Sequence, residues 1–247
     1  LLETVAPAVA KASMESGVAR RNIENWDEYK AELRARMGLD NQLISSLTEA
    51  AKKNPKRVVY TEANNANTLK AASQAKKEGI CVPILLGNEE RIAKIAKENA
   101  IDIEGIEIIN LRHDREEARR NRYAKYISDK LARKGYTYLE SNEKMYDRNY
   151  FGAMMVEMGD ADAMITGSYT KYMDAIKPAM DIIGMRDGVK NIAALNILNT
   201  PKGVYFLADT LVNDSPNAED LAEIAVLTNR TVKIFNEKPV IAMLSYS

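Results

Sequence analysis

The chain has 247 residues, of which 46% are hydrophobic and 28% are charged, as in a soluble globular protein with one large domain or two small ones. Lysine plus arginine and aspartate plus glutamate balance at 35 each, which argues against the strong basic field of a nucleic-acid or anionic-membrane binder. The longest apolar runs, VIAML and CVPILLG, are too short to cross a bilayer. A single cysteine, Cys81, excludes a disulfide within the chain and a cysteine metal cluster, so we expect a reducing, cytoplasmic compartment.

Helical and strand-like segments alternate along most of the chain. Residues 1–55 have a helical pattern that ends at Pro55, so we expect a helical arm over 1–55 and a larger domain over 56–247. Four strand signals follow, RVVYTE, CVPILLG, IEIIN and ADAMITG, and helical tracts separate them. Asn88 is the predicted N-cap of one of these helices and Ser141 that of another.

The pattern changes after Gly188. The segment NIAALNILNTPKGVYFLADTLV predicts two strands joined by a Thr-Pro-Lys-Gly turn, with residues 204–207 antiparallel to residues 192–197. A helix follows with Ser215 at its N-cap and Pro216 at its first position, and KPVIAMLS predicts a last strand. The whole pattern predicts an α/β fold, a three-layer αβα domain with a mixed, mostly parallel sheet.

Both ends of the chain look cut. It lacks an initiating methionine, starts inside a helical pattern and stops directly after a strand-like run. We therefore expect a fragment of a longer protein. The cut ends and the apolar face of the first helices also predict an assembly of at least two copies.

The stretch GDADAMITGSYTKYMDAIKP combines a strand end, a small polar loop and a helix start. In an open α/β sheet, ligands bind beyond the carboxyl ends of strands, often at a helix N-terminus. Backbone N–H groups and the hydroxyls of Ser168, Thr170 and Tyr172 would then bind a phosphate, with Lys177 further along the helix. The alternative is a plain connection between a strand and a helix.

No stand-alone catalytic motif is present. The chain has no G-x-G-x-x-G, no G-x-x-x-x-G-K-[ST] and no H-E-x-x-H sequence. The one histidine, His113, opens a charged helix and is interpreted as a capping or solvated residue. Cys81 opens a buried strand, where an inert core thiol is the expected state.

Three separated segments resemble the phosphate acetyl/butyryltransferase family. They are NYFGAMMVEMGDADAMITG, LADTLVNDSPNAEDLAEIA and KPVIAMLSYS, and the resemblance runs from about Arg57 to Ser247. It implies a phosphotransacetylase-like, isocitrate-dehydrogenase-like fold. The last of the three segments resembles the strand that leads into the serine loop of the active site in that family, and this loop would lie beyond Ser247.

Other segments resemble a branch of large bacterial NADP-dependent malic enzymes with an appended phosphotransacetylase-like domain. They are VAPAVAKASMESGVARRNIENWDEY, GMRDGVKNIAALNIL and VNDSP. This resemblance implies the C-terminal domain of such an enzyme, truncated at its own C-terminus. The parent chain would convert malate to pyruvate with NADP and a divalent metal, Mg or Mn, whereas this fragment would hold no cofactor and no catalytic residue.

The resemblance also implies a set of tentative binding residues for an acyl-CoA or an acyl phosphate. In the acetyltransferases an arginine of an Arg-Pro pair meets the acetyl phosphate, and Lys177-Pro178 stands at the matching position here. Lysine keeps the charge but loses the planar fork that suits a phosphate, and Tyr172 replaces a smaller hydroxyl residue. The candidate residues are Gly167, Ser168, Thr170, Tyr172, Lys177, Arg133 and Asp209.

Three hypotheses for function remain open at this point. The first is a regulatory and oligomerising domain of a malic enzyme that senses acetyl-CoA or acetyl phosphate. The second is a working phosphate acetyltransferase, and the third is a purely structural oligomerisation domain. Lysine at position 177 and the substituted loop favour the first over the second, but nothing in the sequence separates the first from the third.

Overall fold

The structure is a computed structural model that describes residues 2–36, 42–200 and 203–244. The described helices are α1 (Leu2–Glu15), α2 (Trp26–Arg36), α3 (Gln42–Lys53), α4 (Ala66–Lys77), α5 (Glu89–Glu98), α6 (Glu117–Lys130), α7 (Tyr138–Lys144), α8 (Arg148–Glu157), α9 (Tyr172–Ile182) and α10 (Ala218–Ile234). The described strands are β1 (Lys56–Tyr60), β2 (Cys81–Leu86), β3 (Glu107–Ile109), β4 (Ala163–Ile165), β5 (Leu195–Thr200) and β6 (Gly203–Ala208). None of the described helices is long and apolar enough to cross a membrane.

The chain divides into two compact units, Thr48–Gly188 and Leu1–Leu47 with Val189–Ser247. The predicted boundary between an arm and a domain at residue 55 stays a prediction. The helical character expected for the first 55 residues is confirmed in α1, α2 and α3.

The unit Thr48–Gly188 contains a four-stranded parallel sheet in the order β3-β2-β1-β4. Val59 of β1 lies opposite Ile84 on one side and Met164 on the other. Helices connect the strands, because parallel neighbours cannot be joined by a tight turn. All four predicted strand segments of this unit are therefore confirmed.

Two separate cores cover the two faces of this sheet. Successive residues of a strand point to opposite faces, so Val59 joins one core and Tyr60 joins the other. The first core includes buried side chains of α6 and α8, such as Tyr123 and Phe151. The second includes side chains of α4 and α5, such as Leu69 and Ile92. Layers of helix, sheet and helix result, which confirms the predicted α/β fold class.

Helix caps follow the side chains that can satisfy the first backbone N–H groups. Asn88 caps α5 as predicted, and its Oδ1 accepts the Arg91 N–H at 2.9 Å. The prediction that Ser141 is a cap is wrong, because Ser141 lies inside α7. Thr137 is the cap instead, and Glu140 completes a reciprocal capping box with it.

The cap predicted for α10 is also wrong. Asn217 rather than Ser215 is the N-cap, because Asn217 and Asp220 form a capping box. Pro216 consequently precedes the helix instead of occupying its first position.

The second unit contains the predicted hairpin, in which β5 pairs antiparallel with β6. Leu195 lies opposite Ala208, so the first strand starts three residues later than predicted. The hairpin is a two-stranded sheet of its own, and α10 packs on β6 with the Phe206 and Phe235 ring centroids 5.6 Å apart.

The last predicted strand, KPVIAMLS, is wrong for its described residues, 238–244, which have no regular secondary structure. A strand needs a neighbouring strand for its backbone hydrogen bonds. Among the described residues no strand pairs with this segment. Most of its side chains are exposed to solvent, with Val240 91% exposed.

Candidate ligand-binding site

The strand order creates a switch point between β1 and β4. From β1 the chain moves outward through β2 and β3, whereas β4 lies on the other side of β1. Ligands of open α/β sheets bind beyond the carboxyl ends of strands at such points. The two ends are adjacent here, because the Thr61 N–H donates to the Ile165 carbonyl at 3.2 Å.

A cavity of about 280 Å³ lies at this switch point. The end of β1, the start of α8, the loop after β4 and the helix α9 all contribute to its wall. Its polar lining includes Glu62, Arg148, Asn149, Thr170, Asp174 and Lys177. Neither histidine nor cysteine is among the described residues that line it.

The loop after β4 is fastened by the carboxylate of Glu62. Oε2 of Glu62 accepts the Ser168 N–H at 2.7 Å. Oε1 accepts the N–H groups of Tyr169 and Thr170 at 3.1 and 2.8 Å, and the Thr170 hydroxyl at 2.6 Å. Desolvation opposes ionisation of Glu62, which is only 8% exposed, but the hydrogen bonds from Thr170 and its neighbours outweigh it and lower the pKa of the carboxyl.

A buried amide holds the four elements of the cavity wall together. Oδ1 of Asn149 accepts the Thr61 hydroxyl at 2.9 Å and the Thr166 hydroxyl at 2.8 Å. Its Nδ2 donates to the Asp174 carbonyl at 3.4 Å. Asn149 itself lies in α8, so one side chain links β1, β4, α8 and α9.

Lys177 belongs to a cluster centred on Asp181. The Lys177 Nζ lies 3.5 Å from Asp181 Oδ2, which also accepts the hydroxyls of Tyr150 at 2.7 Å and Tyr136 at 3.2 Å. Desolvation raises the pKa of Asp181, but the hydrogen bond from Tyr150 and the charge of Lys177 outweigh it, and the net pKa is lowered. Asp181 is therefore an anion that holds the Lys177 ammonium beside the cavity.

Comparison with known proteins identifies the family of this chain. The profile of the phosphate acetyl/butaryl transferase family matches residues 42–247. The chain belongs to this family. The solved EutD phosphotransacetylase from Staphylococcus aureus superposes with a TM-score of 0.75 at 28% identity, over 83% of this chain and 61% of that one.

Curated relatives of this phosphotransacetylase-like domain fall into two groups. The NADP-dependent malic enzyme of Escherichia coli K12 is 36% identical over the whole chain, which covers 33% of that enzyme. The phosphate acetyltransferase of Thermoanaerobacterium thermosaccharolyticum is 37% identical over 83% of the chain and 63% of its own length. The chain thus spans about a third of the malic enzymes that it matches.

The predicted site residues occupy different places in this phosphotransacetylase-like domain. Thr170 and Lys177 line the cavity. Gly167 (φ +95°) and Ser168 belong to the loop that Glu62 fastens, and Tyr172 starts α9 and is 39% exposed. The assignment of these residues to a ligand stays a prediction.

The other two predicted residues, Arg133 and Asp209, lie in different units of the chain. Arg133 lies in the short helical turn Ala132–Lys134, is exposed and does not line the cavity. Asp209 belongs to the second unit, where its carboxylate accepts backbone N–H groups of Ala194 at 2.8 Å and Asn213 at 2.7 Å. Desolvation opposes its ionisation, but these hydrogen bonds lower the pKa of Asp209 to about 2.

Sequence reasoning missed Glu62, Asn149 and Arg148. Glu62 is the last residue of the predicted strand segment RVVYTE, and the carboxyl end of a strand is the usual place for functional side chains in an α/β sheet. The sequence does not reveal that β1 and β4 are neighbours, however, and Glu62 and Ser168 are 106 residues apart.

His113 and possible metal-binding groups were considered separately from the cavity. The His113 Nδ1 accepts the Arg115 N–H at 3.2 Å, which confirms its capping role. The described residues contain no group of three or more His, Cys, Asp or Glu side chains that could hold a metal ion.

Proposed function

We propose that the chain is the regulatory and oligomerising domain of an NADP-dependent malic enzyme, and that it senses acetyl-CoA or acetyl phosphate. Malic-enzyme relatives at 36% and 37% identity match the whole chain, which supports this parentage. The parent would carry out the oxidative decarboxylation of malate to pyruvate. NADP and a divalent metal, Mg or Mn, would be bound by the catalytic domain of the same parent chain.

The observation that carries the sensing role is the chemistry of the cavity. Its loop amides already donate to Glu62, so the wall is rigid and the carboxylate is not available as a base. Lys177 nevertheless presents a cation to the cavity. A preformed cavity with a cation, and with neither histidine nor cysteine among the described residues that line it, suits binding of an anion better than group transfer.

The oligomerising role is supported by the second unit. Tyr205 and Leu207 alternate with Phe206, which packs on α10, so they lie on the opposite face of the hairpin. Leu198 lies opposite Tyr205 on that face, and these three side chains are 40–49% exposed. We propose that this apolar face packs against another copy in a homo-oligomer of at least two subunits, in the cytoplasm.

The test uses the full-length protein and follows malate-dependent NADP reduction. Acetyl-CoA or acetyl phosphate should lower the rate, and Lys177→Ala should bring the ratio of rates with and without effector closer to one. Lys171→Ala is the matched control, because Lys171 is also exposed but does not line the cavity. A rate that does not respond to either effector would refute the sensing role.

A phosphate acetyltransferase is the second candidate. It is favoured by the relative from Thermoanaerobacterium thermosaccharolyticum and by the close superposition on the EutD phosphotransacetylase. Thiol release from acetyl-CoA in the presence of phosphate would measure this activity. Loss of that release in Lys177→Ala, but not in Lys171→Ala, would establish it and displace the regulatory role.

A further inference from the structure

Arg148 has an unusual environment at the cavity wall. It is the first residue of α8, its side chain is half-buried, and it lines the same cavity as Lys177. Its Nη1 is buried and has no hydrogen-bond acceptor among the described residues. Buried donors almost always have acceptors, because a buried N–H without one is costly, so this nitrogen requires an explanation.

Two other arginines show how a guanidinium is satisfied elsewhere in this chain. The Arg57 guanidinium donates to Asp162 Oδ1 at 2.9 Å. Arg120, which is buried, donates to the carbonyl oxygens of Leu111 and His113 at 2.7 and 2.8 Å. The Arg119 Nη1 also lacks a hydrogen-bond acceptor, but it lies 3.3 Å from Glu116 Oε2. Arg148 differs from these arginines because its Nη1 has neither an acceptor nor a carboxylate partner among the described residues.

The carboxylates that line the cavity are Glu62, Asp147 and Asp174, and none of them forms a salt bridge with Arg148 in the described part of the chain. Glu62 is engaged by four hydrogen bonds from the loop. Asp147 caps α8 by accepting two backbone N–H groups at 2.8 and 3.1 Å. Lys177 already has Asp181 at 3.5 Å. In the described part of the chain, Arg148 has no carboxylate within salt-bridge distance.

We propose that Arg148 binds the anionic group of the ligand in this cavity, opposite or beside Lys177. The inference rests on the proposed function, since it places a second cation in the proposed effector site. A guanidinium offers a planar pair of N–H donors that matches a phosphoryl or carboxylate group, whereas the lysine acts as a point charge. Arg148 thus supplies the bidentate recognition that Lys177 cannot give.

The size of the cavity distinguishes between the two proposed effectors, an acyl phosphate and an acyl-CoA. Its volume of about 280 Å³ lies just below the range of roughly 300–1,000 Å³ that is typical of pockets for drug-sized ligands. A small acyl phosphate fits this space. A nucleotide-bearing thioester is several times larger, so only its acyl end would enter. The volume therefore favours a small acyl phosphate over an intact acyl-CoA as the effector that enters whole.

The experiment measures equilibrium binding to the full-length protein by calorimetric titration. The probes are acetyl phosphate, inorganic phosphate and acetate, which separate phosphoryl from carboxylate recognition. Arg148→Met should weaken acetyl phosphate binding by about 10- to 100-fold, the effect of losing charge-assisted hydrogen bonds, and Arg148→Lys should recover only part of it. Arg91→Met, on the exposed face of α5, is the matched control and should bind like the wild type.

The melting temperature without ligand separates a binding role from a structural one. Because Arg148→Met removes a buried donor that has no acceptor, the ligand-free protein should melt at the same or a higher temperature. A lower melting temperature with unchanged acetyl phosphate affinity would overturn the proposal and make Arg148 a structural residue. Wild-type protein that binds none of the three anions would overturn it as well.

The two proposals fail in different ways. If acetyl phosphate binds in an Arg148-dependent manner but malate turnover does not respond, the sensing function is refuted and the inference stands. If turnover responds to the effector equally in wild type and Arg148→Met, the inference is refuted and the sensing function stands.

Discussion

Replacing Glu62 with glutamine tests whether this carboxylate fixes the wall of the cavity. The best orientation of the new amide keeps its oxygen where Oε1 accepts the donors of Tyr169 and Thr170. Its NH₂ group then faces the Ser168 N–H, which donated to Oε2 at 2.7 Å in the wild type. Two donors would oppose each other in a site where Glu62 is 8% exposed.

The magnitude follows from the hydrogen bonds that change. A buried N–H without an acceptor costs about 1–3 kcal/mol, and the remaining bonds lose the assistance of the charge. We expect Glu62→Gln to lower the free energy of unfolding by about 2–4 kcal/mol. For a chain of this size that corresponds to a drop in melting temperature of roughly 5–15 °C.

Hydrogen exchange at the amides of residues 168–170 is the most direct assay. Protection of these amides should fall at least about tenfold in Glu62→Gln, because each 1.4 kcal/mol of lost stability opens the loop about ten times more often. Glu98→Gln is the control, since Glu98 is 59% exposed and lies 3.9 Å from Lys94, and it should change stability by less than about 0.5 kcal/mol. Unchanged exchange at residues 168–170 in Glu62→Gln would refute the claim that Glu62 holds the loop.

Three further changes test other parts of the structure. The backbone donors around Asp209 lower its pKa to about 2, whereas the pKa of an aspartate in the unfolded chain is about 4. The charged carboxylate therefore stabilises the fold at pH values above about 4, and this contribution is lost as the pH falls through 2. Asp209→Asn should therefore flatten the dependence of unfolding free energy on pH between about 4 and 2, and a slope equal to that of the wild type would contradict this. Gly152→Ala should lower the free energy of unfolding in urea by about 1–3 kcal/mol, because the added Cβ would lie 2.8 Å from Met164 Sδ. An unchanged free energy would mean that α8 can shift away from the sheet without cost. Asn217→Ala should cost about 1 kcal/mol by breaking the capping box with Asp220, and equal thermal stability would show that α10 does not depend on this cap.

The sheet and its two cores could be predicted because the residues carry the pattern directly. The run CVPILL is apolar on both faces, as expected for a strand buried between helices. Helical tracts between the strands favour parallel neighbours, because parallel strands need a long crossover connection. The caps could not be chosen as reliably, since Ser215 and Asn217 are both good caps and the choice depends on the reciprocal bond with Asp220.

Only the part of the site that is continuous in sequence could be predicted. The loop of residues 167–170 was recognised because it follows a strand and precedes a helix in the sequence. Glu62 and Arg148 lie on segments that are remote from the loop in sequence. They come close to it because β1 pairs with β4, and because Asn149 of α8 accepts hydrogen bonds from residues that follow both strands. Strand order is a property of tertiary packing, so no local pattern encodes these contacts.

The position of Glu62 changes how an anion would have to be recognised at this switch point. The sequence suggested that backbone N–H groups at the start of α9 would bind the anion, as at many helix N-termini. In the loop just before α9, the N–H groups of residues 168–170 already donate to Glu62, so we expect recognition to depend more on the side chains of Lys177 and Arg148. Side-chain cations on a partly open wall are screened by salt, whereas the Glu62 bonds are short-range and buried. Ionic strength should therefore weaken anion binding while leaving the loop in place, which separates the ligand site from the structure that supports it.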